Sequence, residues 1–194
     1  GEIVVHLGER GSDDGVQRVL APRSSVRYYP VVTEVQKSQG VYRVNPPLDR
    51  NNTNPDKAVQ IPGRFGRITP FRFVELESPD FEIDNVSAQQ IAVHYPFNDS
   101  VSSFRSSDDT LNAIWDLSKY TMQATSFAGL YVDGDRERIP YEADAYINQL
   151  SHYAVDNEYT LARRTHEYLL SHPTWPTEWK QHSVMLAWSD WMYT

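Results

Sequence analysis

Between Tyr131 and Asp144 the chain reads Tyr-Val-Asp-Gly-Asp-Arg-Glu-Arg-Ile-Pro-Tyr-Glu-Ala-Asp, and its last twelve residues hold five carboxylates and two arginines. Acids this dense in one loop can serve three ends. A carboxylic acid kept protonated by burial and by neighbouring acids can hand its proton to the leaving oxygen of a glycoside. The other carboxylates and the guanidinium groups then suit the vicinal hydroxyls of a sugar. The same charges can instead neutralise one another, with Arg136 and Arg138 against Asp133, Asp135 and Glu142 in a network that ties the loop down. As a third reading, Asp133-Gly134-Asp135 offers oxygen ligands at alternate positions for Ca²⁺, but the Gly at position six and the Glu at position twelve of an EF-hand loop are missing.

A second candidate lies at His172-Pro173-Thr174-Trp175-Pro176-Thr177-Glu178-Trp179. Indole faces stack on the C–H faces of sugars, and Glu178 can accept hydroxyl hydrogen bonds. The bland alternative is a pair of core tryptophans with an acid that the helix dipole favours in a first turn. Trp188 and Trp191, three apart on a helix, read as core. None of the six histidines falls at a metal-binding spacing such as H-E-x-x-H, and the sequence holds neither a Gly-rich phosphate loop nor a G-x-S-x-G elbow.

The elements that must position these residues change character along the chain. Up to about residue 105 the pattern is that of strands, at Ile3–Leu7, Val26–Val32, Val41–Val44, Phe71–Leu76, Phe81–Ile83 and Ile91–Tyr95, with hairpin-loop chemistry in Gly8–Gly15. Residues 45–66, rich in Pro and Asn, read as a long surface loop. After Phe104 the pattern is helical. Ser106 to Asp109 offer caps for a helix carrying Leu111, Ile114, Trp115 and Met122, with Leu117 and Tyr120 on a second face. A second helix spans about 141–155, with Pro140 at its start, a third about 158–171, and a fourth runs from about 178 onward. Strands followed by helices predict separate domains, β-rich over 1–104 and helical over 105–194, with the boundary near Ser100–Ser106. The helices carry more apolar face than four of them can cover, which predicts a piece of a longer protein; the alternative is a small domain that covers those faces as a homodimer.

Composition narrows the function classes. The 194 residues are 40% hydrophobic and 23% charged, enough for a packed core. With 18 basic and 26 acidic residues, the net charge of −8 lacks the footprint of a general nucleic-acid binder. The absence of cysteine removes disulfides, thiolate zinc sites, iron–sulfur clusters and thiol nucleophiles together. No apolar run reaches the roughly 18–20 residues of a membrane helix.

The stretch Asp133-Gly-Asp-Arg-Glu-Arg-Ile-Pro-Tyr-Glu-Ala-Asp144-Ala145 resembles the signature of the α-L-rhamnosidases of glycoside hydrolase family 78. Asp133 stands at the family's first Asp, Glu137-Arg138 at its Glu-Arg pair, Ile139 at its Leu, Tyr141 at its Trp and Asp144-Ala145 at its Asp-Ala. The turn after Asp133 is shorter than the family's and lacks its Cys and Gln, and Asp135 and Arg136 stand in swapped order. Residues 106–121 resemble the first barrel helix of that family, and Pro70–Glu77 the last strands of its preceding β domain. The resemblance is close over 104–155 and looser over most of the chain. It implies the end of a β-sandwich-type domain followed by the first helices of an (α/α) six-hairpin toroid. It also implies inverting hydrolysis of terminal α-L-rhamnosyl residues in glycosides or polysaccharides, with neither metal nor other cofactor. Glu137 would be the general acid. Asp133, Arg138 and Asp144 would hold hydroxyls and Tyr141 would shape the apolar face of the sugar; Trp175, Glu178 and Trp179, read from their own chemistry and from their place on the next helix-to-helix connection, are further candidate contacts. The family's general base is a Glu from a much later helix–loop, so these residues on their own are expected not to turn over substrate. Two rivals remain: a non-catalytic sugar-binding or interaction module of the same fold, and a same-fold hydrolase for another sugar. The expected partner is a rhamnose-containing glycoside, with no nucleic acid and no membrane; the compartment stays open between cytoplasm, periplasm and exterior.

Overall fold

A computed structural model describes residues 1–22, 24–36 and 40–194. The chain divides into two compact units, one formed by Gly1–Asp49 and Pro62–Ala92, the other by Arg50–Ile61 and Val93–Thr194.

Among the described residues the first unit holds five strands: β1 Glu2–Gly8, β2 Gly11–Ser12, β3 Gly15–Val16, β4 Tyr28–Glu34 and β5 Phe73–Glu77. Three of them form an antiparallel sheet in the order β4-β1-β5. Strand β1 is central because both of its edges pair, and its Val5 and Leu7 are buried as alternation predicts. On the opposite face the buried His6 ring lies flat against Tyr28, with its Nδ1 2.7 Å from the phenol oxygen and its Nε2 3.1 Å from Glu77. A small hairpin of β2 and β3 closes the turn-rich segment after β1, and φ of +121° at its Gly15 is one that L side chains rarely adopt.

This is a smaller sheet than the sequence pattern predicts. The expected strands at 41–44, 81–83 and 91–95 do not form. Val41 and Ile91 stand almost fully in solvent and Phe81 is exposed, so β-branched and aromatic composition alone does not make these segments strands.

The second unit is helical: α1 Asp109–Thr125, α2 Glu142–Val155, α3 Thr160–Ser171 and α4 His182–Tyr193. Asp108 caps α1, its carboxylate accepting from the amides of Thr110 and Leu111. Pro140, wholly buried, leads into α2, whose first turn carries Glu142 and Asp144. His172-Pro173 ends α3. Helix α2 packs against α1, α3 and α4. The core joins Met122, Tyr131, Ala145, Leu161, Ala162, Leu169 and Leu186 to an aromatic cage, including Phe97, Tyr131 and Tyr153, around the fully buried His152. Burial there holds the imidazole below its usual pKa, although Asp156 pulls the other way.

One expectation about burial is corrected. Trp188 and Trp191 are not core: they are 61% and 69% exposed and pack on each other with centroids 5.0 Å apart. On α1, Leu111, Ile114, Leu117 and Tyr120 are exposed as well. Helical spacing shows that residues share a face, whereas burial needs an element to cover it. No described helix is long and apolar enough to cross a membrane.

Candidate functional site

The acid-rich segment emerges from the interior. Leu130, Tyr131 and Val132 are buried, and the Tyr131 amide donates to Thr165 Oγ1 on α3. The chain then forms a closed loop. The Asp133 amide donates to the Ile139 carbonyl at 3.1 Å, and the Ile139 amide donates to Asp133 Oδ1 at 3.2 Å. Within that ring the backbone takes unusual turns, with φ of +121° at Gly134 and +57° at Arg138. Glycine adopts such angles freely; a non-glycine residue in the left-handed region costs about 1–2 kcal/mol and has to be held there.

Arg138 is held by its own side chain. Its buried guanidinium donates from Nε at 2.9 Å and from a terminal nitrogen at 2.7 Å to Asp135 Oδ1, and lies over the Phe127 ring. This pair belongs to the ion-pair network that the composition allowed. The side chain of Arg138, a candidate for holding sugar hydroxyls, is therefore turned into the loop. Its fork geometry suits a carboxylate, and the left-handed backbone aims it at Asp135, three residues back.

The remaining acids lie together. The Glu137 carboxylate, about one third exposed, accepts from the Tyr141 hydroxyl at 2.9 Å and is 3.2 Å from the Arg136 guanidinium. Arg136 also reaches within 3.9 Å of Asp133. Burial pushes the Asp133 carboxyl up to about 6, and the nearby charges of Glu137 and Asp144 add to the rise, against the pull of the Ile139 amide and Arg136. Desolvation raises Asp144 too. Burial, with the hydrogen bond to Glu137, pushes the Tyr141 hydroxyl up to about 12, so it stays a donor across the physiological range.

The second candidate segment comes to the same place. Tyr141 meets Trp179 edge to face at 5.4 Å, and Trp179 lies 6.4 Å from Trp175. Trp175 is 83% exposed, and Glu178 is exposed. The connection is made by Glu142, which reads in the sequence as part of the charge network. Its carboxylate, 1% exposed, accepts from the Thr174 amide at 2.9 Å and from the Thr174 hydroxyl, fastening the α3–α4 loop to the start of α2. The only signal that could have singled out Glu142 is a carboxylate in the first turn of a helix otherwise rich in apolar positions.

The arrangement thus offers three neighbouring carboxyl groups, one of them titrating near 6, beside an aromatic wall of Tyr141, Trp179 and Trp175. That combination can transfer a proton and hold a hydroxyl-rich ring by both its edge and its face. Among the described residues no group of three or more His, Cys, Asp or Glu is placed to hold a metal ion.

Residues 99–194 match the family model described as the bacterial alpha-L-rhamnosidase 6 hairpin glycosidase domain. The matched stretch contains the four described α-helices and both loops of the site, and over it the chain is similar to a six-hairpin glycosidase domain. Over these residues the chain is rhamnosidase-like. No curated protein and no solved structure matches the chain.

Proposed function

We propose that the site binds a terminal α-L-rhamnosyl residue and serves its inverting hydrolysis. The observation that carries this reading is the juxtaposition of Glu137 with Asp133, Asp144 and Tyr141, inside the stretch that matches the rhamnosidase domain. Glu137, protonated, gives its proton to the glycosidic oxygen as the bond from C1 to that oxygen breaks. Water adds to C1 from the opposite face, and its proton passes to a second carboxylate, in this reading a Glu of a later helix–loop of the toroid. Asp133 and Asp144 accept from the sugar hydroxyls, and the Tyr141 hydroxyl orients the Glu137 carboxyl. Further helical hairpins of such a toroid would cover the apolar faces of α1 and α4.

A binding module without turnover is the second reading, and the 3.2 Å contact of Arg136 with Glu137 favours it, since it ties the carboxylate into the ion pairs of the loop. A panel of 4-nitrophenyl glycosides given to the natural full-length protein, with the first-formed sugar anomer followed by proton NMR, separates the cases. Hydrolysis of the α-L-rhamnoside with release of the β anomer is expected. Rhamnose binding without release of nitrophenol would favour the module, and preference for another glycoside would move the site to another sugar.

A further inference from the structure

We infer that the excursion Arg50–Ile61 is a strut for the acid loop and that Asn52 is a positioning residue acting on Glu137 through Asp135 and Arg138; the catalytic part of this inference rests on the function proposed above. These twelve residues lie outside the matched stretch and interrupt the sequence of the β unit, yet they belong to the helical unit. Their sequence reads as a surface loop. In the structure Asn52 is 2% exposed, and its amide donates to the Asp135 carbonyl at 2.7 Å and to Asp135 Oδ2 at 3.0 Å. Ala58 is buried, and the Val59 amide donates to the Arg138 carbonyl at 2.9 Å.

The two contacts fall on either side of Glu137. Asp135 has one carboxylate oxygen on Asn52 and the other on the Arg138 guanidinium, so the two oxygens fix its plane. Arg138, in the left-handed region, has its amide on the Gly134 carbonyl, its carbonyl on Val59 and its side chain on Asp135. The strained angle persists because these bonds over-determine it. Since φ at residue 138 orients the preceding peptide, and Glu137 with it, relative to the chain that follows, the strut sets where that carboxyl stands. Asn52 is suited to this because an amide donates to a carboxylate without adding charge; an Asp of the same shape would place an acceptor against an acceptor.

The test has two independent readouts. The first is amide hydrogen exchange of this chain with Asn52→Ala, Asn52→Asp and Val59→Pro. Exchange at Arg138 and Ile139 should quicken at least about tenfold, most for Asn52→Asp, while amides within α2 and α3 stay protected and report that the fold is intact. Unchanged protection at 138 and 139 in a folded Asn52→Asp protein would overturn the strut. The second readout is kinetic, on the natural full-length protein. A misplaced acid should lower kcat roughly tenfold or more with little change in KM for methyl α-L-rhamnoside, whose leaving group needs the proton. For 2,4-dinitrophenyl α-L-rhamnoside, whose leaving group needs none, Asn52→Ala should be close to the parent. Glu137→Gln is the control. If Glu137→Gln shows this dependence on leaving group and Asn52→Ala does not, the positioning role fails. If Glu137→Gln lacks the dependence, the hydrolytic reading fails, and the exchange data alone decide the strut.

Discussion

The two loops of the site are built on opposite plans. The acid loop, Asp133–Ile139, is closed on itself by two amide hydrogen bonds, cross-linked by Asp135 and Arg138, and buttressed by Asn52 and Val59. The aromatic loop, His172–Trp179, presents a nearly bare Trp175 and is fastened by the bonds of Thr174 to Glu142. Proton transfer is sensitive to fractions of an ångström, so the acid needs rigid backing. In the proposed reading a stacking surface for a sugar has to stay accessible, as the exposed Trp175 indole is.

The contrast can be broken most sharply at the acid. Glu137→Gln keeps the acceptor for the Tyr141 hydroxyl but cannot donate its proton. On a rhamnoside with a poor leaving group kcat should fall by about 10²–10⁴, the range of general acid catalysis, with KM nearly unchanged; an equal rate would remove Glu137 from the chemistry. Next comes the tether. Glu142→Ala leaves the Thr174 amide without its acceptor and frees the aromatic loop. Rhamnoside KM should rise by about tenfold with a smaller change in kcat, and Trp emission should shift to the red. A rise in KM matched by an equal fall in kcat would mean that the acid loop had moved as well, and that the two loops are one device. The smallest effect is on stability. The Asp133 carboxyl titrates near 6 in the fold, above the ordinary 3.8, so the protein binds more protons folded than unfolded between those values. Stability from this group is present below pH ~4 and is lost as pH climbs through ~6. An uncharged amide at this position would escape that loss, so Asp133→Asn should raise Tm by about 2–4 °C at pH 7, scaled down for partial solvation, and by nothing at pH ~4. A constant gap across that range would show that the carboxyl is not desolvated.

The sequence pattern already carries much of this arrangement. The central strand and β5, and the four helices with Asp108 as cap and Pro140 as lead-in, follow from period, caps and breakers that act within a few residues. Asp133, Glu137, Tyr141 and Asp144 come together because they are close in the chain. What the pattern misses depends on distant partners. Residues 41–44 and 91–95 have strand composition but form no strand among the described residues. Trp188 and Trp191 lie on an apolar face with no described element over it. The direction of the Arg138 side chain follows from one backbone angle, and the role of Glu142 from a loop 32 residues away. Asn52 leaves no local signal at all, because its hydrogen bonds span 83 residues.

The strut also bears on how this helical unit can be moved between proteins. A gene segment trimmed to residues 99–194 encodes the four described α-helices but omits the peptide containing Asn52 and Val59. Chimeras joined at that border, or loop shortenings made between β4 and β5 because the stretch looks dispensable, would deliver the acid with its backing removed. Swaps that carry residues 50–61 along should keep it.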